Sequence, residues 1–154
     1  MKAIREIARE DGYYARHRRE GSRAFADYVS RQRGQARGLF LPKGYIPASV
    51  FWLVDGSNVL GLVSIRHRLT KGLRAFGGHI GYVIRPSARR KGYGTRILKL
   101  ALSKARQLRL KRVLLTCSPY NVGSRKIIER NGGVFRDRAR SKQGTRLRYW
   151  IAVN

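Results

Sequence analysis

A chain of 154 residues, 42% hydrophobic and 10% aromatic, carries enough apolar matter for one domain with one core. It is too short for two full domains and too hydrophobic for a disordered polymer. The balance of 35 Lys+Arg against 8 Asp+Glu gives a formal net charge of +27, which repels itself unless an anion lies near; it points to nucleic acid, a phosphorylated ligand or an acidic protein as partner.

The carboxylates are Glu6, Glu10, Asp11, Glu20, Asp27, Asp55, Glu129 and Asp137, so residues 56–128 contain no acid. A coding bias toward Arg would explain Arg in place of Lys, but not this scarcity of acids. The lone Cys117 excludes an internal disulfide framework and a multi-thiolate zinc site. The longest apolar run, residues 48–54, is far short of a membrane span, and the start lacks the apolar stretch of a secretory signal. The expectation is a soluble cytoplasmic protein with no membrane partner and no metal. His17, His67 and His79 share no metal-ligand spacing. Nothing in the sequence sets the oligomeric state.

In chain order, residues 2–11 and roughly 23–33 place Ile4, Ile7 and Ala8, then Phe25, Tyr28 and Val29, at helical spacing. The basic, aromatic segment Tyr13–Arg19 between them suits either stacking on bases or a solvated helix end. Residues 34–49, with Gly34, Gly38, Pro42, Gly44 and Pro47, read as a loop. Strands at Val50–Val54 and Val59–Arg66 flank Asp55-Gly56-Ser57-Asn58, which is hairpin chemistry. A basic loop with Gly72, Gly77 and Gly78 precedes a strand at His79–Ile84. Thr95–Leu110 is an amphipathic helix with Ile97, Leu98, Ala101, Ala105 and Leu108 on one face. A compact strand, Val113–Cys117, leads to a short helix, Ser124–Arg130, stopped by Asn131-Gly132-Gly133. Strands at Val134–Arg138 and Leu147–Val153 close the chain, with Trp52 and Trp150 read as core or edge packing. The fold class is therefore α/β (α+β, mixed sheet) with one β-α-β crossover.

The segment that carries chemistry is Ile84-Arg85-Pro86-Ser87-Ala88-Arg89-Arg90-Lys91-Gly92-Tyr93-Gly94-Thr95. A strand stops at proline, a basic turn follows, and two glycines open a long helix. The first amides of a helix have no intrahelical partner and the dipole is positive there, so an anion is favoured. Gly92 and Gly94 remove side chains that would hold a phosphate off the backbone, and Arg89, Arg90 and Lys91 add charge. A dinucleotide fingerprint needs glycine at Ile97, and a P-loop needs Gly-Lys-Ser/Thr; both fail. A tight strand-to-helix turn with glycines kept for packing is the competing explanation.

Arg89-x-x-Gly92-x-Gly94, after the strand and Pro86 and before the amphipathic helix, resembles the Arg/Gln-x-x-Gly-x-Gly/Ala signature of the GCN5-related N-acetyltransferase (GNAT) superfamily. Asn121-x-x-Ser124 also resembles the family pattern, and Gly78-His79-Ile80-Gly81-Tyr82 and Ser124-Arg125-Lys126-Ile127-Ile128-Glu129 are similar to a branch of bacterial predicted acetyltransferases. The resemblance is strongest over residues 50–135 and weak before 40, where the family's first strand is not visible. It implies one GNAT-like domain over residues 1–154, with a central, mostly antiparallel sheet, a splayed parallel strand pair, and helices on both faces.

The resemblance further implies acetyl-CoA as co-substrate in the cleft between His79–Ile84 and Val113–Cys117. The backbone of Tyr82, Val83 and Ile84 would hold the pantetheine. Arg89, Arg90, Lys91, Gly92, Tyr93, Gly94 and Thr95 would hold the pyrophosphate, and Asn121 and Ser124 would touch the cofactor. An amine would attack directly in a ternary complex, by positioning and oxyanion stabilisation. The tyrosine that many members place seven residues after the Asn is Ile128 here, and the usual strand carboxylate is absent. Tyr120 is the candidate acid. His79 is the candidate base, with a structural role at the sheet edge as the alternative; water-relayed deprotonation needs neither.

The leading function is thus an acetyl-CoA-dependent N-acetyltransferase whose amine acceptor sits on an anionic carrier, such as a ribosomal or nucleic-acid-bound protein, an aminoacyl-tRNA or a phosphorylated metabolite. The alternative is a GNAT-fold module weakened in catalysis, with nucleic acid or a ribonucleoprotein as its main ligand.

Overall fold

The computed structural model of the chain describes residues 6–7, 22–142 and 144–153. Helix α1 (Ser22–Ala36) is followed by strands β1 (Ala48–Asp55) and β2 (Asn58–Arg66), helix α2 (Lys71–Phe76), strand β3 (Ile80–Ile84) and a 3₁₀ turn at Pro86–Ala88. Then come helix α3 (Tyr93–Gln107), strand β4 (Arg112–Cys117), helix α4 (Val122–Arg130), and strands β5 (Val134–Ser141) and β6 (Gly144–Ala152). The strands form two antiparallel three-stranded sheets, ordered β1-β2-β3 and β4-β6-β5.

β1 and β2 pair from Ala48↔Arg66 to Asp55↔Asn58, so only Gly56 and Ser57 make the hairpin turn. α3 crosses from β3 to β4 and buries Ile97, Leu98, Ala101 and Ala105. These meet Val63, Ile65, Val113, Leu115, Tyr149 and Ile151 in one core that spans both sheets. On the opposite face of the first sheet, Ile7 packs with Leu62, and Trp52 and Val83 lie against them. Phe25 of α1 packs on Trp52 with ring centroids 5.2 Å apart. Helices therefore cover both faces, as the family resemblance implies.

Three element assignments change. Helix α1 runs on to Ala36 through the start of the expected loop. The segment expected to be a basic loop contains α2, whose first turn is capped by Thr70 Oγ1 accepting from Leu73 N–H at 3.3 Å. The strand expected from His79 begins at Ile80, because His79 N–H donates across the split to Leu114 O at 2.7 Å. Among the described residues no strand precedes β1. The expected helix over residues 2–11 is described only at Glu6 and Ile7, both helical, and Tyr13–Arg19 lies outside the described residues.

Candidate active site

The two sheets touch at one end of the β3–β4 seam and part at the other. At the closed end, His79 N–H reaches Leu114 O, and Leu114 N–H donates to His79 Nδ1 at 2.9 Å. Beyond it, Tyr82 of β3 and Cys117 of β4 line a shared notch of about 300 Å³. Both strands run toward that opening, as a β-α-β crossover requires. No strand ladder closes the gap.

Strand register decides which backbone groups are offered there. Arg66 N–H donates to His79 O and Arg85 N–H to Leu60 O, while Leu62 opposes Val83 and Val63 opposes Tyr82. In an antiparallel ladder, alternate residues turn both polar groups toward the partner strand. Gly81, Val83 and Arg85 therefore face β2, as His79 does through its carbonyl alone, and Ile80, Tyr82 and Ile84 face the open edge. Of the three residues expected to hold an extended ligand, Val83 is turned away. Ile84 O already accepts from Arg89 Nε at 3.1 Å, which leaves Tyr82 as the open station.

The turn after β3 is set by its ends. Arg85 donates Nε and Nη2 to the two Glu6 carboxylate oxygens, at 3.1 and 2.5 Å, and Ser87 Oγ donates to Glu6 Oε2 at 2.8 Å. These bonds hold the Glu6 carboxyl down at about pKa 2, the Arg85 hydrogen bond contributing most. Arg90 has φ +62, and Gly92 takes φ +79 as the residue before α3, with no side chain capping the first turn. Among the described residues no side chain uses the amides that open α3, and exposed Arg90 and Lys91 flank them.

At Gly94 the packing explanation applies. A Cβ there would lie 2.4 Å from Ile127 Cδ1, so this glycine lets α4 pack on α3. Asn131 reinforces that junction, donating Nδ2 to Thr95 O at 3.3 Å and to Ile127 O at 2.8 Å; the sequence marks Asn131 only as a helix stop.

Asn121 and Ser124 stand at the opening of α4. Asn121 Oδ1 accepts from Ser124 N–H at 2.9 Å as the helix cap. Ser124 Oγ lies 3.0 Å from Tyr82 Oη, so a hydroxyl pair bridges the mouth of the notch. Burial pushes the Tyr82 phenol up to about 12, so it stays protonated.

The two expected acid–base residues are placed otherwise than their roles need. Tyr120 is 93% exposed, on the turn between β4 and α4. His79 is buried, its Nδ1 lone pair is committed to Leu114 N–H, and its ring is 6.2 Å from Trp150. Burial first, then the charges of Arg74 and Arg66, lower its pKa to about 4. Cys117 is a buried free thiol, pushed up chiefly by burial. His67 is hydrogen-bonded to Ser49 Oγ through Nε2 at 2.8 Å. Among the described residues no group of three or more His, Cys, Asp or Glu could hold a metal ion, and no helix is long and apolar enough to cross a membrane.

Two further residues line the notch. Arg66 donates Nη1 to Gly78 O at 3.2 Å and to Gly77 O at 3.4 Å. Arg146 lies over the Phe76 ring, 5.4 Å from its centroid. Nothing in the sequence marks them out, because each is one Arg among many.

A split mixed sheet with a free strand edge, and an uncapped glycine-opened helix just beyond it, is the architecture of an acyltransferase fold. The chain belongs to the acetyltransferase (GNAT) domain family, whose model matches residues 3–134. No curated protein sequence matches it. Among solved structures it is similar to the ribosomal-protein-S5-alanine acetyltransferase of Vibrio fischeri, at TM-score 0.65 and 17% identity over 99% of this chain and 87% of that one. It is also similar to Mycobacterium smegmatis RimJ in complex with CoA-disulfide, at TM-score 0.64 and 20% identity, over 84% of this chain and 61% of that chain. A third is yncA of Salmonella typhimurium, solved with its cofactor acetyl-CoA, at TM-score 0.62 and 15% identity over 85% of this chain and 74% of the other. At these identities the likeness is one of fold, and the chain spans about three fifths of the RimJ length.

Proposed function

We propose that the protein moves an acetyl group from acetyl-CoA directly to an amine, both held at once in the β3–β4 cleft. The observation that carries this reading is the pairing of an uncapped α3 N-terminus at Gly92 with the open edge of β3 at Tyr82. A diphosphate fits the amides of residues 92–95, where unpaired N–H groups and the helix dipole favour negative charge, with Arg90 and Lys91 adding to the field. An extended pantetheine fits the Tyr82 edge as an added strand would.

Acetyl-CoA supplies an activated acyl group as its thioester. The residues do the rest. Tyr82 N–H is the donor placed to polarise an acyl oxygen, an effect worth about 3 kcal/mol where one oxyanion donor has been removed elsewhere. The Tyr82–Ser124 hydroxyl pair is the proton source that the notch itself offers to a departing thiolate, in place of exposed Tyr120. The base role passes from His79 to water, since the imidazole lone pair facing β4 is already bonded. The comparisons lend no support to the alternative of a nucleic-acid-binding module.

The test is calorimetry with coenzyme A at low ionic strength, with Gly92→Asp beside the parent. The parent should bind, and the variant, with a carboxylate on the anion turn and a side chain at φ +79, should lose binding by at least about a hundredfold. Equal binding by both would remove the anion turn from the site. No binding by either would end the transferase reading.

A further inference from the structure

The sign of charge at the acceptor end of the cleft bears on what the enzyme acetylates. Among the described residues the notch contains Arg66 and Arg146 and no carboxylate. Glu129, whose charge is felt at Cys117, is turned away to Tyr149 Oη at 3.3 Å and Arg125 Nε at 3.9 Å. The Asp137 carboxylate is held by Arg148, whose Nε and Nη2 donate to its two oxygens at 2.6 Å each. Neither acid is available to receive a cationic acceptor. Arg66 is fixed, its Nη1 bonded to two carbonyls and lying 3.9 Å from where a Gly81 Cβ would stand. Its remaining N–H groups make no hydrogen bond among the described residues. Arg146 is held loosely, over Phe76 and by one bond to its neighbour's carbonyl, Thr145 O, at 3.3 Å.

We infer that Arg66 and Arg146 form the acceptor subsite, and that the acceptor is a primary amine with an anionic group, carboxylate or phosphate, a few bonds from its nitrogen. This rests on the acetyltransferase reading above and adds the substrate class to it. A planar guanidinium recognises a carboxylate or phosphate through paired N–H donors. A notch that offers two cations and, among the described residues, no acid repels polyamines, whose further ammonium groups find no partner there. The same two charges disfavour the ammonium form of the amine itself. They therefore help supply the neutral nucleophile in a site where His79 is already committed and the family's strand carboxylate is missing.

The experiment offers acceptors that differ only in charge. β-Alanine is compared with β-alaninamide, O-phosphoethanolamine with ethanolamine, and spermidine is added; CoA release gives kcat/KM for each. The anionic member of a pair should exceed its neutral partner by about tenfold to a hundredfold, the worth of one charge-assisted hydrogen-bonded contact, and spermidine should be slowest. Which pair shows the larger ratio tells carboxylate from phosphate. Arg146→Met and Arg66→Met should each reduce the ratio about tenfold while coenzyme A binding, read separately by calorimetry, stays as in the parent. Arg146→Glu, at the more loosely held position, should raise the spermidine rate.

A protein that binds coenzyme A but prefers the neutral amine or spermidine, accepts none of the anionic amines, or keeps its ratio in both Met variants overturns the subsite and leaves the transferase reading intact. Absence of coenzyme A binding takes down both.

Discussion

Two hydroxyls meet across the mouth of the notch, Tyr82 Oη and Ser124 Oγ, 3.0 Å apart. A phenol held at about pKa 12 is a poor acid in isolation. A thiolate formed beside it, however, can take its proton while Ser124 supplies the second hydrogen bond. Tyr82→Phe removes the hydroxyl and keeps the ring, so the backbone edge and the coenzyme site should survive. The expected outcome is a fall in kcat on the order of a hundredfold, the usual worth of a positioned acid, with coenzyme A affinity within about twofold of the parent. Tyr120→Phe, on the exposed turn, should change kcat little. The reverse pattern would restore Tyr120 as the acid and reduce Tyr82 to packing. Gly92 and Gly94 show the limit of reading residues singly. They are alike in sequence, yet one is required by its positive φ and the other by Ile127 on a neighbouring helix.

At the scale of elements, the seam between β3 and β4 is held shut at one end by His79, and its chemistry sets a pH window. The folded protein keeps this ring neutral down to about pH 4, while an unfolded chain protonates it near 6.5. The unfolded state therefore binds more protons across that interval, and stability falls as pH drops from about 6.5 to about 4. His67, also lowered by burial, contributes with the same sign. Glu6 acts in a lower window. Its pKa of about 2, against an ordinary 4.5, means that its contribution is present above 4.5 and is lost as pH falls from 4.5 toward 2. Denaturation midpoints taken against pH should show both declines. His79→Gln, whose amide oxygen can still accept from Leu114 N–H, should flatten the upper one. An upper decline that persists undiminished in His79→Gln would show that this imidazole does not titrate as described.

Local chemistry explains which of these elements could be read in advance. Pro86, Gly92 and the apolar face of α3 signal themselves within a dozen residues, so the strand, turn and helix around the proposed coenzyme site stand out. α2 is six residues long with one capping Thr70, too short for periodicity to show. The direction of Val83 depends on which residue of β2 it faces, and the place of Asn131 on a helix that follows a crossover. Arg66 and Arg146 line one notch only because two sheets part, and no sequence spacing records that.

For the whole molecule, 35 basic against 8 acidic residues leave most cations with no carboxylate to meet. The ion pairs that do form, such as Arg85–Glu6 and Arg148–Asp137, hold particular elements and do little for the total. A compact body with this excess is strained by its own field, and screening relieves it. The Debye length shrinks from about 30 Å at 0.01 M salt to about 10 Å at 0.1 M. The Tm should therefore rise with NaCl across that range, opposite to the response of a fold held together by surface ion pairs. Coenzyme A binding should weaken over the same range, since the field that strains the fold also draws the diphosphate. Sulfate at equal ionic strength separates the two effects. If it raises Tm further than chloride in the parent but not in Gly92→Asp, the additional stabilisation comes from an anion seated on the α3 amides. A Tm indifferent to salt would mean that the charges are spread too widely to strain the fold, and the steering of an anionic acceptor would then have to come from Arg66 and Arg146 alone.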